Sequence, residues 1–117
     1  MDNNMPIGPV GATLRNLGAV GAENAVSTRD LMAEMGLKDV RAFRSMIEDE
    51  RNAGDLILAN GRGLFLPDAG DKGREEVRRW IALMVARISG AARTLKAARG
   101  SLRRIEGQTE ISEDAET

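Results

Sequence analysis

Apolar positions along this 117-residue chain keep two rhythms, and the change between them divides it. Up to about residue 53 they recur in short runs at the three-to-four spacing of amphipathic helices. Leu14, Leu17, Ala19 and Val20 predict a first helix over residues 12–20. Leu31, Met32 and Met35 predict a second, and Val40, Phe43, Met46 and Ile47 a third whose apolar side faces a core. Two brief runs, Leu56-Ile57-Leu58 and Leu64-Phe65-Leu66, flank Asn60-Gly61-Arg62-Gly63. That arrangement predicts a β-hairpin with positive φ at Asn60 and Gly61. Ala25-Val26 is placed to add a very short strand to it. From Val77 the rhythm lengthens. Val77, Ile81, Met84, Ile88, Ala91, Leu95, Ala98, Leu102 and Ile105 step alternately by four and three, an unbroken heptad seam.

Polar punctuation sets the boundaries. Ser27 is spaced to cap the second helix, with Asp30 three residues on, and Gly36 supplies the left-handed residue that ends it. Asp39 is the expected cap of the third helix and Gly54 its stop. Pro67 closes the hairpin and Asp71 is the expected cap of the last helix, over residues 71–106. Such a helix is roughly 50 Å long. A small domain of about 60 residues cannot bury that length, so the seam is expected to dimerise with a second copy. Residues 1–10 read as a flexible arm, residues 11–67 as the domain, and residues 107–117 as a disordered acidic tail.

The fold class that follows is mostly α with a small β-hairpin: a winged helix-turn-helix domain followed by a long C-terminal coiled-coil helix. In that architecture the second helix of the motif enters the major groove of double-stranded DNA by its N-terminal end. Lys38, Arg41, Arg44 and Ser45 stand there, suited to phosphates and guanine edges, and Arg62 stands at the hairpin tip. The plain alternative is a solvated helix face, with Arg44 and Glu48 paired one turn apart. Residues 38–54 hold four bases and four acids, so this helix is not basic as a whole. Trp80, just off the seam, is expected to pack back onto the domain.

Composition changes this picture mainly by exclusion. There is no cysteine and no histidine. That removes disulfides, the usual zinc ligands and His-assisted nucleophiles. The remaining acids are scattered on helix faces, so no enzyme, metal or cofactor is expected. No apolar run approaches the length of a membrane span, and residues 1–4 lack a secretory pattern, so a soluble cytoplasmic protein is expected. The net charge of −1 hides a partition. Residues 71–106 carry ten bases against four acids, and residues 107–117 carry four acids and no base. A basic coiled coil of this kind can add salt-dependent affinity for a DNA backbone.

Three stretches also resemble something known: Ala22-Glu23-Asn24-Ala25-Val26-Ser27, Gly36-Leu37-Lys38-Asp39-Val40-Arg41 and Ile47-Glu48-Asp49-Glu50-Arg51-Asn52-Ala53-Gly54. With Gly63-Leu64-Phe65-Leu66-Pro67 and a trailing long helix, they resemble small winged-helix proteins encoded by temperate phages and prophages. The resemblance implies a cytoplasmic, phage-derived DNA-binding protein. The expected function is sequence-specific binding of double-stranded DNA by a homodimer that regulates transcription. The second reading is a phage adaptor or inhibitor that docks on a host protein through the same domain.

Overall fold

The structure, a computed structural model, describes residues 8–110. It is mostly helical, with helices α1 (Pro9–Asn16), α2 (Thr28–Met35), α3 (Val40–Asn52) and α4 (Gly70–Glu110). A 3-10 turn at Ala22–Asn24 precedes α2, and strands β1 (Leu58–Asn60) and β2 (Gly63–Phe65) form an antiparallel hairpin between α3 and α4. The chain divides into two compact units after Trp80, so the first three turns of α4 belong with the hairpin and α1–α3.

The two central helices form as their caps dictate. The Ser27 side chain accepts a hydrogen bond from the Asp30 N–H (3.0 Å), and Gly36 ends α2 at φ 69°, a left-handed position that favours glycine. Asp39 Oδ1 accepts from the Arg41 and Ala42 N–H groups at the start of α3. Phe43 and Ile47 turn into the core with Val10, Leu14, Leu31, Met32, Ile57, Leu64 and Leu66. Val40 does not join them. It is 45% exposed, at the first residue of α3.

Helix α1 departs most from the sequence expectation. It starts at Pro9 and not Ala12, and Val10 is wholly buried. The flexible arm expected through residue 10 therefore does not extend to residues 8–10; residues 1–7 lie outside the described residues. The reason lies about forty residues away. The Glu50 carboxylate accepts from the Val10 and Gly11 N–H groups (2.8 and 3.0 Å), and Asp55 accepts from the Gly8 N–H (2.9 Å). Two acids, Glu50 in the last turn of α3 and Asp55 just beyond it, thus satisfy N–H groups that open α1, and their charge suits the positive end of the helix. Pro9, at the first helical position, has no N–H to satisfy. At the other end α1 stops at Asn16, which leaves Leu17 exposed and lets Ala19 and Val20 leave the helix for the core and hairpin side.

Strand β1 begins two residues later than the expected 56–58 and β2 one residue earlier than the expected 64–66, so the loop is Gly61-Arg62. The Asn60 side chain caps that loop by accepting from the Arg62 and Gly63 N–H groups (2.8 and 3.1 Å). Positive φ falls on Gly63 (151°) and not on Gly61, where it was expected. A Cβ at Gly63 would run into the Val26 carbonyl oxygen. The close approach arises because Val26 and Leu64 exchange both backbone hydrogen bonds, adding Val26 to the outer edge of β2. Val20 bridges Leu66 in parallel on the same side.

The base of α4 is tied down by charge. Glu76 accepts from the Asp68 and Ala22 N–H groups (2.9 and 2.7 Å), and Lys72 reaches Glu23, Asp68 and Glu76. Asp71 lies inside the first turn and meets Arg74, so it does not serve as the cap assigned to it. Trp80 is half-buried under the Arg51 guanidinium, 4.8 Å from the ring centroid. The helix then continues to Glu110, so the tail expected from residue 107 begins helical; residues 111–117 lie outside the described residues.

Candidate nucleic-acid interface

Two anchors orient α3. Its N-terminus is capped by Asp39, and Phe43, Ile47 and Glu50, at spacings of four and three, turn to the interior. Between them Arg44, Ser45, Glu48 and Asp49 face solvent, while Met46 packs partly against the core. Lys38, Arg41, Arg44 and Ser45 are all exposed, from just before the cap to the sixth residue of α3. Among the described residues none of the three cations meets a carboxylate, and Arg44 and Glu48 form no ion pair. Three unneutralised cations beside a helix N-terminus form a surface fit for anionic oxygens.

The equal count of acids and bases in residues 38–54 overstates the acid on this surface. Glu50 is 7% exposed and spent on α1, and Asp39 is engaged in its own cap. Arg51 is likewise withdrawn, since its Nε donates to the Ile57 carbonyl at 2.7 Å. Lys38, Arg41 and Arg44 are left with Glu48 and Asp49 farther along. Glu50 was legible in principle, because it continues the spacing of Phe43 and Ile47. Its charge disguised it as one of the exposed acids.

Arg62 stands at the exposed hairpin tip as expected. It is not on the same element as the α3 cations, and its guanidinium leans on the Glu23 carbonyl through a long 3.4 Å contact. A contact of that length is weak and readily given up.

A second charged group was not anticipated. The Lys72 ammonium is held by Glu23 (2.7 Å), Asp68 (3.1 Å) and Glu76 (3.2 Å). The hydrogen bond to Glu23, then that to Asp68, pushes the lysine above its ordinary range. The Lys72 hydrogen bond in turn holds the Glu23 carboxyl low. The Ala69 N–H, then Lys72, does the same for Asp68. For Glu76, burial works upward, but the Asp68 and Ala22 N–H groups and Lys72 outweigh it and its carboxyl is lowered. These charges satisfy one another and the backbone, so the group is a brace for the base of α4.

The seam on α4 divides at the unit boundary. Val77 is half-buried within the first unit, in a shallow cleft it lines with Leu56 and Pro67. Beyond it Met84 is half-exposed, and Ile81, Ile88, Ala91, Leu95, Ala98, Leu102 and Ile105 are exposed, Ile88 to 65%. No described helix is long and apolar enough to cross a membrane.

No family model, curated protein or solved structure matches the chain.

Proposed function

We propose that residues 8–80 are a winged helix-turn-helix module that binds double-stranded DNA, and that the chain acts as a homodimeric, cytoplasmic phage or prophage transcriptional regulator. The observation that carries this reading is the cluster of unneutralised cations Lys38, Arg41 and Arg44 at the capped N-terminus of α3. The surrounding order supports it. Helix α2, a glycine turn at Gly36 and helix α3 are followed by a hairpin whose inner strand pairs with Val26, so the strand order runs Val26, β2, β1. In such a module α3 enters the major groove end-on. Lys38, Arg41, Arg44 and Ser45 then meet phosphates and base edges, and Arg62 reaches a neighbouring phosphate once it leaves the Glu23 carbonyl. The exposed α4 seam supplies the dimer contact. A two-fold dimer reads a pseudo-palindromic site.

Fluorescence anisotropy with duplex DNA at low salt tests this. Binding should be strongly salt-dependent, and Arg41→Ala with Arg44→Ala should weaken it by roughly a hundredfold or more while the fold is retained. Unchanged affinity in that double variant removes α3 from the role.

One observation favours docking on a host protein instead. Val40 is exposed amid the cations at the very end of α3 that would enter DNA. A surface mixing an exposed valine, Arg41 and Arg44 suits a protein partner, and under that reading the anisotropy titration shows no salt-dependent binding.

A further inference from the structure

The seam beyond Trp80 alternates in size as well as polarity, and that alternation selects an orientation. Ile81, Ile88, Leu95 and Leu102 form one row, seven residues apart and all large. The other row, offset by three, runs Met84, Ala91, Ala98 and Ile105, and its middle is small. Apart from the half-exposed Met84, both rows are exposed in the single chain. We infer that residues 81–105 pair antiparallel with a second copy, in the register that sets Ile81 against the partner's Ile105; this rests on the dimer reading above.

The argument is one of packing. In a parallel, in-register pair each row meets itself, so Ala91 faces the partner's Ala91 and Ala98 the partner's Ala98. Thin alanine layers then alternate with thick layers of paired isoleucine or leucine, and helices at a constant separation leave the thin layers unfilled. Interiors close at near-crystalline density, so such voids are penalised. In an antiparallel pair the large row meets the small one. Ile88 then faces the partner's Ala98 and Leu95 the partner's Ala91, and only the end layers, Ile81 with the partner's Ile105 and Met84 with the partner's Leu102, set large against large. Large against small in successive layers is how facing helices interdigitate evenly. Among the antiparallel registers that keep the rows opposed, Ile81 against the partner's Ile105 gives the longest overlap.

Charge at the edge of the seam agrees. In this register Arg78 lies beside the partner's Glu106, once at each end by symmetry, and Ala92 meets the partner's Ala92 at the centre. Arg78 is exposed and holds only a long 3.6 Å contact with Glu75, and Glu106 is exposed too. In the parallel arrangement the edge neighbours of Arg78 and Glu106 are Gly73 and Ser101 of the other copy, so no opposite charges meet.

The absence of native cysteine makes a disulfide test clean. Full-length Ile81→Cys and Ile105→Cys chains are mixed, exchanged under reductant and then oxidised at micromolar concentration. The mixed disulfide should exceed either homodisulfide by about tenfold or more, as facing seam positions are within disulfide reach. A sedimentation dimer giving mainly homodisulfides, or none of the three products, overturns the register and leaves the dimer standing. A monomer by sedimentation overturns both. Because substitution in the seam can itself weaken pairing, exposed charges give a second measure. Arg78→Glu should raise the dimer dissociation constant roughly fivefold, and adding Glu106→Arg should restore it. A constant that moves with neither change overturns the register.

Discussion

Within residues 8–80, Leu14, Leu31, Phe43, Ile57 and Leu58 are wholly buried, whereas beyond Trp80 Ile81, Ile88, Leu95 and Leu102 stand about half or more exposed. The residue types are the same; what differs is whether other elements of the chain come round to cover them. Phe43 is covered because α1, α2 and the hairpin strands converge on one face of α3. Among the described residues no second layer packs on the distal part of α4, and a helix cannot cover its own stripe. Charge follows the same division. In the first unit carboxylates are spent inward, Glu50 and Asp55 on α1 and Glu76 on the base of α4. On the distal helix the basic side chains stay at the surface. The first unit thus buries its apolar side chains within itself, and the second carries an apolar stripe that stays exposed in the single chain.

The sharpest way to break this contrast is to delete a large side chain from each region. Phe43→Ala should lower the unfolding free energy of the first unit by about 3–5 kcal/mol in urea titration. Leu95→Ala should leave that transition within about 0.5 kcal/mol and act on dimerisation alone. Comparable losses from both would mean that the distal seam is packed within its own chain.

A smaller loss should come from the cap that crosses the chain. Glu50→Ala removes the acceptor of two buried N–H groups, and should cost about 1–3 kcal/mol. Hydrogen exchange at Val10 and Gly11 should rise with it. If those two amides keep their protection, α1 is held by packing and not by the carboxylate.

The brace around Lys72 should appear as an acid limb of stability. Glu76, Glu23 and Asp68 all have carboxyls lowered in the folded state, so the folded state binds protons less readily than the unfolded chain. Their stabilisation is complete above the ordinary carboxylate value near 4.5 and is lost as pH falls through the lower folded values. Melting temperature should therefore hold from neutral pH to about 5 and fall below about 4.5, and Glu76→Gln should flatten that fall. Lys72, shifted upward, adds stability present below its ordinary 10.5 and lost only as pH rises through its raised value, so no alkaline limb is expected below pH 10. The smallest effect belongs to the exposed cations. Arg44→Ala should change the unfolding free energy by less than about 0.5 kcal/mol while weakening DNA binding, a separation that a purely structural arginine would not show.

Local chemistry was enough to read some of this from the chain alone. Ser27 and Asp39 cap the helices they were expected to cap, Gly36 ends α2, and residues 71–106 lie in one long helix, because each depends on residues a few positions apart. The start of α1 at Pro9, the interior place of Glu50, the requirement for glycine at 63 and the Lys72 brace were decided only by tertiary structure. In each of these the partner group lies far along the chain: forty residues from Val10 to Glu50, thirty-seven from Val26 to Gly63, forty-nine from Glu23 to Lys72. A carboxylate announces its charge in the sequence, but not which distant N–H group it will satisfy, since that depends on which surfaces the fold brings together.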